Sequence, residues 1–72
     1  MSKTPKIYEK LGRKIQKARQ EKGITQEKLA EMADISRTHM GHIEQGRRQP
    51  TLDVVQKIAK ALKMKANELI PF

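Results

Sequence analysis

The segment TQEKLAEMADISRTHMGHIEQG, residues 25–46, contains two amphipathic runs separated by only a few residues. Apolar residues recur at helical spacing on one face of each run: Leu29, Ala30 and Ala33, then Met40 and Ile43. Thr25 and Ser36 stand where N-cap residues are expected, and Gly46 stands where a helix would end. Residues 34–36 leave room only for a tight turn. The segment therefore predicts two short helices joined by a turn.

Three further helices are predicted around this pair, and no strand. The first begins near Thr4 and Pro5 and ends at Gly23, the fourth is capped by Thr51, and a short fifth is stopped by Pro71. Their inward faces are predicted to hold Leu11, Ile15 and Ala18, then Leu52, Val55, Ile58, Ala59 and Leu62, and finally Ala66, Leu69 and Ile70.

The chain is expected to form one domain, because 72 residues support only one small core. Residues 1–10 read as a basic N-terminal extension that enters the first helix. Residues 11–70 read as a compact all-α domain of five helices, with the two-helix unit at about residues 25–45.

The net charge is +8, which favours a polyanionic partner: nucleic acid first and an anionic membrane surface second. The charge is unevenly distributed. Residues 29–45 contain Arg37 as their only Lys or Arg, whereas residues 1–28 contain nine basic and three acidic side chains. If the partner is DNA, the helix predicted at residues 36–45 is not the main source of electrostatic attraction.

Cysteine is absent, and no apolar run approaches the roughly 18 residues of a membrane span. No signal-peptide pattern follows the N-terminus. A cytoplasmic protein without a membrane partner is the simplest expectation.

The face of helix 36–45 that points away from Met40 and Ile43 carries groups that suit the edges of bases. Thr38 and His42 lie on it, and Arg37 lies at its leading edge. Arg can bond guanine with two hydrogen bonds, and Thr can contact a thymine methyl. Gly41 has no side chain to hold a groove wall away from the backbone.

At these residues the sequence resembles the Cro/lambda-repressor-type (XRE) helix-turn-helix family. The resemblance covers about residues 11–70 and rests on several spaced features: R-x-x-x-G-x-T-Q, L-A, S, I-E-x-G, P and I-A-x-A-L. It implies a lambda-repressor-like fold and a sequence-specific double-stranded DNA-binding transcriptional regulator, of repressor or controller type, acting as a homodimer.

The resemblance assigns roles by position. Arg37, Thr38 and His42 match the residues from which family members read bases. Residues that match phosphate-contacting or positioning sites are Gln26, Ser36, Gln45, Arg47 and Arg48, and His39 is a further candidate for DNA contact. Gln26 is also expected to brace the first residue of the reading helix. Arg19 and Glu44 match an internal salt bridge. Asp34 replaces the usual turn glycine, so it is expected to adopt a left-handed conformation.

The sequence also permits functions other than DNA reading. An antitoxin-like protein-interaction module with incidental DNA binding is the main alternative. His39 and His42 lie at i and i+3, but no third metal ligand is evident, so no metal site is predicted. No nucleophile–base pair or phosphate loop points to an enzyme, a cofactor or a small-molecule ligand.

The C-terminal residues Leu69, Ile70 and Phe72 have two interpretations. They either complete the core or form the seam of a homodimer, and the apolar C-terminal end of so short a chain favours the seam.

Overall fold

The computed structural model describes residues 5–70 and contains α-helices only. The helices are α1 Lys6–Glu21, α2 Gln26–Met32, α3 Arg37–Glu44, α4 Leu52–Ala61 and α5 Ala66–Leu69. No strand occurs in this part of the chain, so the predicted five-helix all-α fold is confirmed. Among these helices, none combines the length and the apolar character that a membrane crossing requires.

Side-chain caps begin three of the helices, as the sequence predicts. Each cap oxygen accepts a hydrogen bond from the backbone N–H three residues later: Thr25 from Lys28 at 3.0 Å, Ser36 from His39 at 2.9 Å and Thr51 from Val54 at 3.2 Å. These bonds satisfy donors that have no partner within the helix, so they define where α2, α3 and α4 start.

Each of the four longer helices is followed by a residue with positive φ. Gly23 and Gly46 have φ of 68° and 76°, and Asp34 has 58°, as expected of the turn. Lys63 has φ of 57° after α4, which no feature of the sequence predicted. After Asp34, the N–H of Ile35 donates to the Ala30 carbonyl at 3.0 Å, which reverses the chain between α2 and α3.

The apolar faces of all five helices meet in one core. Its buried side chains include those predicted in α1 to α3, together with Val55, Ile58, Ala59, Leu62 and Leu69. α3 packs against both α1 and α2. A Cβ atom on Gly12 would overlap the backbone carbonyl oxygens of Ile43 and Glu44, so the backbone of α1 directly touches the end of α3.

One prediction about an apolar residue is wrong, at Leu52, and the two alternatives for Leu69 are decided in favour of the core. Leu52 is 74% exposed. It is the first residue of α4, and helical side chains point toward the helix N-terminus, so this one extends past the end of the packed face. Leu69 is fully buried, so it completes the core and cannot form a dimer seam. Ile70 is half-buried, and Phe72 lies outside the described residues, as do Thr4 and Pro71.

Candidate nucleic-acid interface

The outward side of α3 forms two adjoining depressions. One is lined by Gln26, Arg37, Thr38, Gly41, His42, Gln45 and Arg47. The other is lined by Ser36, Thr38, His39, His42 and Arg48. Thr38 and His42 line both. We call the two depressions together the reading surface; it brings together every residue that the sequence assigned to DNA contact.

The residues of the reading surface differ in exposure. Arg37 and Thr38 are exposed near the N-terminus of α3, whereas His39 and His42 are half-buried. Gln45, Arg47 and Arg48 are exposed at and after its C-terminus. Side chains able to contact base edges therefore lie along the helix, and cationic side chains lie at its rim.

Ser36 is the N-cap of α3, which fixes the position of its side chain. Its hydroxyl oxygen accepts the His39 N–H at 2.9 Å, while its own proton remains able to donate to an anion. Ser36 can therefore contact a phosphate without releasing the cap.

Gln26 is oriented by a buried carboxylate. Its Nε2 donates to Glu44 Oε1 at 3.2 Å. An ionised carboxylate only accepts hydrogen bonds, so the amide nitrogen must face Glu44 and Oε1 must face elsewhere. Oε1 lies 3.5 Å from where a Cβ on Gly41 would stand. A Cβ on Gly41 would therefore make only ordinary van der Waals contact with the Gln26 amide, so the position of Gln26 does not require glycine at residue 41.

The predicted bracing of α3 by Gln26 occurs at the other end of the helix. The hydrogen bond of Gln26 reaches Glu44, the last residue of α3, and not Arg37, the first.

The predicted internal salt bridge is present. Arg19 Nε donates to Glu44 Oε2 at 2.8 Å, and a second guanidinium N–H donates to Oε1 at 3.1 Å. Arg19 also donates to the carbonyl of Ile24 at 3.0 Å. The side chain of Arg19 is 12% exposed and that of Glu44 is 2% exposed. The pair joins α1 to the end of α3 and holds Glu44 where it can accept from Gln26.

Sequence reasoning missed the contact between Glu27 and Arg37. A guanidinium nitrogen of Arg37 lies 3.8 Å from a carboxylate oxygen of Glu27, and both side chains are well exposed. Glu27 lies in the first turn of α2, where the helix dipole favours an anion, and this position alone does not indicate a contact with Arg37. One feature of the sequence could have drawn attention to this contact: Arg37 is the only Lys or Arg within residues 29–45.

No three His, Cys, Asp or Glu side chains within residues 5–70 come together in a way that suits a metal ion.

Comparison with known proteins identifies the family. The helix-turn-helix family model HTH_3 matches residues 15–69. The control protein C.BamHI from Bacillus amyloliquefaciens is 40% identical over 62 residues, which span 85% of this chain and 76% of that protein. The uncharacterized HTH-type transcriptional regulator YazB from Bacillus subtilis is 42% identical over 60 residues, which span 83% of this chain and 87% of that protein.

A solved structure shows the same fold. The crystal structure of the restriction-modification controller protein C.AhdI from Aeromonas hydrophila matches with a TM-score of 0.84 and 34% identity. The match covers 86% of this chain and 94% of that one. The resemblance drawn from the sequence is thereby confirmed, and the chain belongs to the XRE-type helix-turn-helix family of DNA-binding transcriptional regulators.

Proposed function

We propose that this regulator binds a double-stranded operator with α3 in the major groove, where it reads bases, and with the rim of the reading surface on the phosphates. The observation that carries the proposal is the grouping of all the predicted DNA-contacting side chains in two adjoining depressions on one side of α3. A helix-turn-helix presents its second helix to the groove in this way.

Arg37, Thr38 and His42 form the base-reading group. Arg37 and Thr38 are exposed in the first turn of α3, the part of a reading helix that reaches base edges. His42 lies one turn after Thr38 and is half-buried, so its ring has less conformational freedom to lose when DNA binds.

Gln26, Ser36, Gln45, Arg47 and Arg48 form the positioning group. In this proposal their donors bond the phosphates on either side of the groove and fix the register of α3, with Gln26 using the amide N–H that Glu44 does not take. His39 shares a depression with Ser36 and Arg48, so we assign it to the same rim as an additional contact. Phosphate contacts carry no base information, so this group supplies affinity and geometry.

Two copies are proposed to bind one operator. α3 has eight residues and is therefore about 12 Å long, which spans only about three or four base pairs. Two copies on half-sites about 34 Å apart would read twice that length. Leu69 is buried, so Ile70 is the remaining described candidate for the seam.

The test separates reading from positioning. After an operator has been selected from random duplexes, its affinity and that of unrelated DNA are measured for Arg47→Ala and His42→Ala. Arg47→Ala should weaken both DNAs by similar factors and flatten the log–log salt slope by about 0.9 per lost phosphate contact. His42→Ala should weaken the operator by about 1 kcal/mol and leave unrelated DNA almost unchanged.

Lys60→Ala is the charge-matched control for Arg47→Ala, because Lys60 is exposed on α4 outside the reading surface. Circular dichroism confirms folding of each variant. Equal weakening of all DNA by His42→Ala, or no weakening, would show that this face does not read bases. A single half-site that binds as tightly as the full operator would refute the dimer.

A further inference from the structure

The contact between Glu27 and Arg37 joins the first turns of α2 and α3. The two groups lie 3.8 Å apart, and the side chains are 75% and 71% exposed, respectively. Together with Thr25 and Gln26 they line a third depression. It adjoins the reading surface, because Gln26 and Arg37 line both.

Arg37 needs restraint if it is to read bases. It is the only Lys or Arg in residues 29–45, so it is the one strong cation in α3. A guanidinium binds phosphate at least as readily as a guanine edge, and phosphates occur at every position along DNA. An unrestrained Arg37 would therefore add affinity for any sequence.

The carboxylate of Glu27 beside the guanidinium of Arg37 affects the binding of a guanine edge and of a phosphate differently. A guanidinium has five N–H donors and can bond Glu27 with one edge and a second group with another. A guanine edge is neutral, so it can share Arg37 with the carboxylate without repulsion. A phosphate in the same place brings two anions together, which is unfavourable at close range.

We propose that Glu27 is a specificity-determining residue, which directs Arg37 to a neutral base edge and disfavours its binding to phosphate. This inference rests on the proposed function of α3. Glu27 acts through Arg37 and need not touch DNA.

Glu27→Gln should tighten binding to unrelated DNA by about twofold to fivefold, the range expected for loss of an exposed ion pair. The operator should gain less, so the ratio of the two affinities falls. The salt slope on unrelated DNA should steepen by about 0.9, because Arg37 becomes free to neutralise one phosphate.

Glu31→Gln is the matched control. Glu31 lies on the same helix, is 73% exposed and pairs with the exposed Lys28 at 3.4 Å. The substitution changes the net charge equally but removes no neighbour of Arg37. It should shift operator and unrelated DNA by the same factor and leave their ratio unchanged.

A double-mutant cycle decides the mechanism. Glu27→Gln is introduced into wild-type protein and into Arg37→Ala, and the affinity for unrelated DNA is measured in both. The effect of Glu27→Gln should disappear when Arg37 is absent. If it persists in full, Glu27 only repels DNA through its charge and the proposal is overturned; an unchanged affinity ratio in wild-type protein overturns it as well.

The Arg37→Ala variant by itself tests the proposed function separately. If Arg37→Ala alone leaves the preference for the operator bases unchanged, Arg37 does not read bases. The cycle on unrelated DNA still reports whether Glu27 restrains Arg37 from phosphate.

Discussion

Within residues 5–70, two ion pairs connect α3 to the other helices, one at each end of α3. The Arg19–Glu44 pair is buried, has two short hydrogen bonds and also holds Gln26. The Glu27–Arg37 pair is exposed and longer, at 3.8 Å. Removing one partner therefore has a different effect on stability in the two ion pairs. Loss of one partner in the buried pair leaves a charge out of water, whereas either partner of the exposed pair can be hydrated.

Folding depends mainly on the buried pair, and recognition on the exposed one. The buried pair fixes the C-terminal end of α3 against α1, where Gly12 also brings the two backbones together. In the exposed pair, the N–H donors of Arg37 that do not face Glu27 stay available to a second group. We infer that the Arg19–Glu44 pair sets the orientation of α3, whereas the Glu27–Arg37 pair affects which group on DNA Arg37 contacts.

The largest expected effect comes from Glu44→Ala. It should lower the free energy of unfolding by about 3–5 kcal/mol, because the guanidinium of Arg19 stays largely buried without its carboxylate. A chain of this length has a total stability of only about 4–11 kcal/mol. Urea denaturation at neutral pH measures the loss.

Glu31→Ala is the exposed control and should cost no more than about 1 kcal/mol. A second variant, Arg19→Met with Glu44→Leu, removes both charges together. It should be less destabilising than Glu44→Ala, because no unpaired charge remains. Similar losses for Glu44→Ala and Glu31→Ala would break the distinction between buried and exposed ion pairs, because Glu31 belongs to the exposed pair with Lys28.

Gln26→Ala should have an intermediate effect. It removes a hydrogen bond to a charged group, which contributes about 1.5 kcal/mol, and leaves Glu44 paired with Arg19. Because Gln26 lines the reading surface, the variant should also weaken operator and unrelated DNA by similar factors. Denaturation and DNA titration on the same sample measure the two effects.

Gln56→Ala serves as the control for Gln26→Ala, since Gln56 is an exposed glutamine on α4. It should alter neither stability nor DNA binding. If Gln26→Ala changes the preferred operator sequence, Gln26 contacts a base and belongs with the reading group.

Much of the fold was predictable because its determinants are local. Caps at Thr25, Ser36 and Thr51 follow from side chains that bond backbone a few residues away, and apolar periodicity identified the buried faces. Leu52 was misplaced because periodicity gives the direction of a side chain but not where a packed interface ends. Lys63 was not predicted to have positive φ because its conformation follows from the end of α4 and not from its own preference.

The candidate site was less predictable, because its geometry depends on contacts through space. The residues around α3 were named from a family pattern, and they lie together in the structure. Glu44, whose carboxylate orients Gln26, lies 18 positions from Gln26 in the chain. Glu27, whose carboxylate lies beside Arg37, is 10 positions from Arg37. No periodicity in the sequence specifies such pairings.

Among the variants that break one of the two ion pairs of α3, Glu27→Gln should have the smallest effect on stability. The free energy of unfolding should change by less than about 1 kcal/mol, because an exposed pair gains little over hydration of its partners. Raising the salt concentration to about 1 M shortens the Debye length to about 3 Å, so the remaining difference from the wild type should shrink further. Thermal unfolding followed by circular dichroism at low and high salt measures both effects. A loss comparable to that of Glu44→Ala would mean that the exposed pair holds α3 in place, and any change in DNA preference would then follow from a displaced helix.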